Sequence, residues 1–194
     1  MGTQIVDWSM SAATTWASWP PHEGAAHADG VAQRLADTAD GRERVGRAVL
    51  ALDAGLPGGP LLSAGLWVPD RAVGEPVATV IAEILVDVPA GPEPVEDFIL
   101  SVQKAPRRRG LKTFSYAASV TDLPAGPAGV REWRWAEKSD GIVVCQSIWT
   151  VVPAGASEAL QVTFTTRTPT MVDALAVEAW QSLHTLAIEL GDLP

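Results

Sequence analysis

Apolar and polar positions divide this chain into a helical first part and a strand-rich remainder. Val45, Ala48, Val49 and Leu52 recur at three- and four-residue intervals, which puts them on one side of a helix. Asp40-Gly41-Arg42-Glu43, just before them, has the spacing of a capping box, with Asp40 as N-cap and Glu43 reaching back. Gly55 supplies a C-terminal stop, and Pro57-Gly58-Gly59-Pro60 breaks the chain. A weaker helix is predicted over residues 25–38, where Val31 and Leu35 are the large apolar residues and Gly30 interrupts.

Beyond residue 60 the period drops to two. Leu62, Ala64, Leu66 and Val68 alternate along one predicted strand. Val80, Ala82, Ile84, Val86 and Val88 form one face of the next, over 78–88. Its other face carries Ile81 and Leu85, and a strand apolar on both sides predicts cover on both sides of its sheet. A helix is then predicted with Pro94 in its first turn and Glu96 and Asp97 near its positive end. Val95, Phe98, Ile99 and Val102 share its apolar face.

Four strands follow, over 114–120, 130–137, 142–152 and 160–165. The last helix starts at Thr168-Pro169, or at the alternative capping box from Thr170 to Asp173. Val172, Leu175, Ala176, Ala179, Leu183, Leu186 and Leu190 mark its stripe. This order predicts an α/β (α+β) fold: a three-layer α/β/α sandwich on a mostly antiparallel sheet of about six strands, with a C-terminal amphipathic helix. The 194 residues suit a single domain, with a tryptophan-containing arm and helices over 1–58.

Composition narrows the function classes. With 47% apolar and 19% charged residues the chain belongs with globular proteins. Its net charge of −9 opposes phosphate backbones and anionic headgroups, so neither nucleic acid nor membrane is an expected partner. One stretch runs the other way. Lys104, Arg107, Arg108, Arg109 and Lys112 suit an acidic partner or an anion, or simply form a solvated loop after a helix. Cys145 is the only cysteine, which excludes an intrachain disulfide and a multi-cysteine zinc site. Met1 to Met10 shows no basic and apolar leader pattern, so the expected localisation is cytoplasmic.

No catalytic or metal-binding residue and no cofactor is predicted. His22 and His27 are five apart, which on a helix would splay them by roughly 140°. His184 lies on the flank of the last helix, near Trp180. No phosphate loop, dinucleotide fingerprint or serine-hydrolase elbow is present. Cys145 sits in a β-branched run and reads as a small buried hydrophobe.

Eight tryptophans must dominate packing, an interface, or both. Trp133, Trp135 and Trp149 lie on predicted strands, with Trp133 and Trp135 on one face. Trp8, Trp16 and Trp19 precede Pro20-Pro21, in an arm that wraps its own domain or anchors a partner.

The second half carries a family likeness. Val120-Thr121-Asp122-Leu123-Pro124-Ala125-Gly126-Pro127-Ala128 precedes a long β-branched strand. Leu160-Gln161-Val162-Thr163-Phe164-Thr165-Thr166, the Thr168-Pro169 break and a final amphipathic helix follow. Together these resemble the small actinobacterial proteins of the LpqN and PsbP-like (Mog-like) α/β/α sandwich group, over about residues 60–190. The resemblance implies an antiparallel core sheet flanked by helices, and a binding, assembly or accessory role without catalysis. It has no catalytic motif to carry over. The sequence departs from the lipoprotein members in showing no signal peptide and no lipidated cysteine.

The resulting expectation is a non-catalytic protein-interaction or accessory module that has a protein partner or associates with itself. An edge strand or the arm would carry self-association, and the basic stretch with Trp8, Trp16 and Trp19 would carry partner binding. The alternative is a small-molecule binder, or an enzyme with an unrecognised site, using a cleft between the sheet and the N-terminal helices. Trp133, Trp135 and Cys145 would wall that cleft.

Overall fold

The computed structural model describes residues 3–86, 88, 94–106, 110–137, 139 and 141–192. These fall into two compact units: Ala12–Glu83, and the flanking segments up to Ser11 and from Ile84. The helical unit thus runs well beyond residue 58. Among the described residues there are four α-helices and nine strands, and every strand pairing within either unit is antiparallel.

The Ala12–Glu83 unit holds β2 (Trp16–Trp19), α1 (Gly24–Leu35), α2 (Ala39–Ala54), β3 (Leu61–Trp67) and most of β4 (Ala78–Leu85). Its core joins Trp19 of β2, Val31 and Leu35 of α1, Val45 and Val49 of α2, and Ala64 and Leu66 of β3. The apolar stripe read from α2 is therefore the core face. The cap differs from the expected one. Thr38 is the N-cap, in extended conformation, and its hydroxyl accepts the Gly41 N–H at 3.1 Å. Asp40 falls inside the first turn, where its charge faces the positive end of the helix dipole. Gly74, at φ +66, lies so close to α2 that a Cβ there would stand 2.5 Å from the Gly41 Cα.

In the second unit β5 (Leu111–Leu123), β6 (Gly126–Glu137), β7 (Val143–Val151) and β8 (Ala159–Thr166) pair in sequence order. Local alternation dictates the burial of β8: Leu160, Val162, Phe164 and Thr166 are buried, and the residues between them are not. α3 (Pro94–Ser101) lies against β6, where Ile99 would stand 2.7 Å from any Cβ on Gly129 and the Phe98 ring takes the Arg131 guanidinium at 5.4 Å. α4 (Val172–Leu183) stands against the other set of alternating residues, with Trp180 5.9 Å from Trp149.

Both chain ends were read differently from sequence. The region of Trp8 is β1 (Thr3–Ser9), paired with β9 (Ala187–Asp192) in a separate two-stranded sheet. Glu158 holds the bulge in β1, accepting the Ile5 N–H at 2.9 Å. The spacing predicts an apolar helical stripe through Leu190, but the helix ends at Leu183. The Thr185 hydroxyl donates to the Ser182 carbonyl at 2.7 Å, satisfying one of the terminal acceptors. Leu186 stays buried in the exit, and Leu190 belongs to β9 opposite Ile5. Pairing with β1 outweighs a helical spacing that continues by coincidence. These terminal strands, with β2, are why there are more than the six expected.

Candidate functional site

In the second unit a cleft of about 200 Å³ lies between the strands and the first turns of α4. The pairing register builds its floor. Ser115, Arg134, Cys145 and Thr166 stand side by side across the four strands, and Ala117, Glu132 and Ser147 form a parallel row two residues along. Alternation sends both rows to the side where α4 stands. Val172, Leu175 and Ala176, at helical i, i+3 and i+4 positions, form the facing wall. Ser115 and Ala117 are short, so they leave open the space that larger residues on β5 would fill. Arg134 and Glu132 are exposed and put one positive and one negative charge at the rim.

Cys145 is buried in the floor as a free thiol. Burial pushes its pKa up, and nearby Arg134 draws it only partly back. A thiol held protonated is a poor nucleophile. Alkylation of the folded protein by iodoacetamide should therefore be slow at neutral pH. The midpoint of its rate–pH profile should lie above that of the urea-unfolded chain, because only the thiolate reacts. A folded midpoint at or below the unfolded one would show an activated cysteine instead.

The tryptophans distribute by register. Trp133 borders the cleft, but it pairs with Tyr116 and Gln146, and this row projects to the opposite side from Cys145. There Tyr116 meets Trp133 edge-on at 6.4 Å, and Trp135 packs on Trp133 at 5.6 Å. The Trp133 indole N–H donates to the Thr113 hydroxyl at 3.2 Å, whereas the buried Trp135 N–H finds no acceptor. The Tyr116 hydroxyl donates to the Val102 carbonyl, and burial raises its pKa against a smaller opposing pull from Arg131. Trp135 is not among the residues that line the cleft. The expected wall of Trp133, Trp135 and Cys145 is thus split between two sides of the strands. The cleft faces α4 rather than the N-terminal helices, which pack on β2 and β3 in their own unit.

Trp16 and Trp19 are only 3% and 2% exposed. Trp16 stacks on Trp67 at 5.8 Å, and the Trp19 indole donates to Asp53 at 3.1 Å. They are core residues of the Ala12–Glu83 unit, buried away from any partner, rather than the interface anchors expected from the sequence. Trp8 is half-buried on β1. Arg107, Arg108 and Arg109 lie outside the described residues. Lys104 and Lys112 are exposed, and Lys112 places its ammonium 4.9 Å over the Phe114 ring. His27 lies 3.5 Å from Glu23, and His184 bonds to the Trp180 carbonyl at 2.8 Å. Among the described residues no group of three or more His, Cys, Asp or Glu is placed to hold a metal ion.

The residues that shape the cleft and that sequence reading passed over are Ser115, Ala117, Glu132, Arg134, Ser147, Thr166 and the first turn of α4. Alternation was visible in each strand, but the register that aligns them was not.

No protein-family model matches the chain, and no curated protein matches it. Among solved structures it is similar to LpqN of Mycobacterium tuberculosis, a protein described as involved in cell envelope biogenesis. The TM-score is 0.50 at 12% identity, over 93% of this chain and 82% of that one. The likeness is one of fold. A second structure, a Pseudomonas aeruginosa protein of unknown function titled a putative regulator, aligns over 65% of this chain and 75% of its own, with a TM-score of 0.34 at 16% identity. Among the described residues no helix is long and apolar enough to cross a membrane.

Proposed function

We propose that the protein is a non-catalytic binding or accessory module with a three-layer, LpqN and PsbP-like core, and that the cleft beside α4 is its binding element. The observation that carries this reading is the cleft itself: apolar on the α4 side, polar on the strand side, with Arg134 and Glu132 at its rim. That arrangement suits a small ligand with an apolar body and a polar end. The layering is supported by α3 and α4 standing against opposite sets of alternating strand residues. Cys145 fits the non-catalytic reading as an unactivated thiol, since burial raises its pKa. A cytoplasmic, reducing setting belongs to the same reading and is supported by the single free cysteine.

Ala176 is exposed on the cleft wall, so Ala176→Phe should fill the space at a stability cost within about 0.5 kcal/mol. Indole and hexanoate serve as probes in an NMR titration of the full chain. Either probe should shift amides of β6 and β7 around Arg134 and Cys145, and Ala176→Phe should abolish those shifts. Shifts that survive the substitution, or no shifts with either probe, would refute the cleft as a binding element.

A further inference from the structure

We propose that the cleft beside α4 takes a free α-amino acid with an apolar side chain, bound as its zwitterion, with the carboxylate on Arg134 and the ammonium on Glu132. This rests on the cleft being the binding element and adds the class of its ligand. At about 200 Å³ the cleft is smaller than the roughly 300–1,000 Å³ of sites for drug-sized molecules, so it suits a smaller ligand.

The charges at the rim set the class. Glu132 and Arg134 are two residues apart on β6, so they leave the same side of the strand about 7 Å apart at the backbone. Each stands between uncharged cross-strand neighbours. Glu132 has Ala117 on β5 and Ser147 on β7, and Arg134 has Ser115 and Cys145. Among the described residues neither joins an ion pair. A lone anion on Arg134 would meet the nearby Glu132 carboxylate, and a lone cation on Glu132 would meet the guanidinium. A molecule with both charges at one end satisfies the two groups together. An α-amino acid carries its ammonium and carboxylate on one carbon, which leaves its side chain to lie against Val172, Leu175 and Ala176.

The rows to either side orient the ligand. The register shift between Thr113 and Ser115 brings Lys112, opposite Ala136, to the side of the strands that bears Arg134, one row further out. The row on the far side of Glu132 is Ser119, Val130 and Trp149, all uncharged. Lys112 thus reinforces the positive end, and no cation on these strands stands beyond Glu132 to compete for its carboxylate.

L-Norleucine, hexanoate and pentylamine share a straight alkyl chain and differ in charge: both signs, carboxylate alone and ammonium alone. In an NMR titration of the full chain, read from amides of β6 and β7, norleucine should bind about fivefold tighter than either of the others. Glu132→Gln should reduce norleucine to the affinity of hexanoate for the wild type, and Arg134→Gln to that of pentylamine. Both side chains are exposed, and thermal melting checks that the variants stay folded. Norleucine binding no tighter than the better single-charge probe overturns the proposal and leaves the cleft reading standing, as does an advantage that survives both substitutions. Binding by none of the three, or shifts that Ala176→Phe does not remove, overturns both.

Discussion

Phe164→Ala is expected to lower the unfolding free energy by about 3–5 kcal/mol, among the largest effects of any single truncation in the chain. Phe164 is 1% exposed, in the middle of β8, with Leu160 and Val162 on the same buried face. It pairs with Ser147 of β7, and Trp149, two residues along that row, packs against Trp180 of α4. The ring therefore sits where strand and helix meet. Removing it takes apolar surface out of the core and leaves a void that β-strand neighbours, held by their ladder, cannot close. Phe164→Leu keeps most of the volume and should cost less than about 1.5 kcal/mol. Urea unfolding of both variants checks this, and a loss below about 1 kcal/mol for the alanine variant would mean the ring is not in the core.

Trp19→Ala is expected to cost about as much, 3–5 kcal/mol, for a related reason in the other unit. Trp19 closes β2 against α1 and α2, within the cluster that also holds Leu35, Val45 and Val49. Its indole N–H is satisfied by Asp53 near the end of α2, at 3.1 Å. Trp19→Phe separates the two contributions. It retains an aromatic body but loses the donor, so about 1 kcal/mol of its cost should come from the hydrogen bond. Asp53→Asn in the wild-type background keeps an acceptor and should cost less than Trp19→Phe. If Trp19→Ala unfolds within about 1 kcal/mol of the wild type, the ring is an exposed arm residue after all.

α2, α3 and β8 were readable in the sequence because their signals are local. Val45, Val49, Val95, Ile99, Leu160, Val162 and Phe164 repeat at the period of their own element and are all buried. The start of α2 was misread by two residues, because Asp40 and Thr38 are both competent caps and the hydroxyl of Thr38 was the one in place. The stripe on the last helix was right through Leu183 and wrong beyond it. Leu186 and Leu190 continue the spacing, but the chain leaves the helix to pair Ile5 with Leu190.

The same distinction governs the candidate site. Cys145 as a buried thiol followed from its place in a β-branched run, and Trp133 on the same face as Trp135 from strand alternation. That Cys145 shares a row with Arg134 rather than with Trp133 followed from register, which depends on partners outside the strand itself. The sequence by itself determined the identity of the helices and strands that carry a periodic core face, the acidic charge and the single thiol. Only the tertiary structure decided that Trp16 and Trp19 belong to a core, that both chain ends form strands, and that a cleft opens beside α4. The physical reason is range. Periodicity and capping act over one or two turns, whereas β pairing joins residues as distant as Ile5 and Leu190, and its register selects which side chains meet.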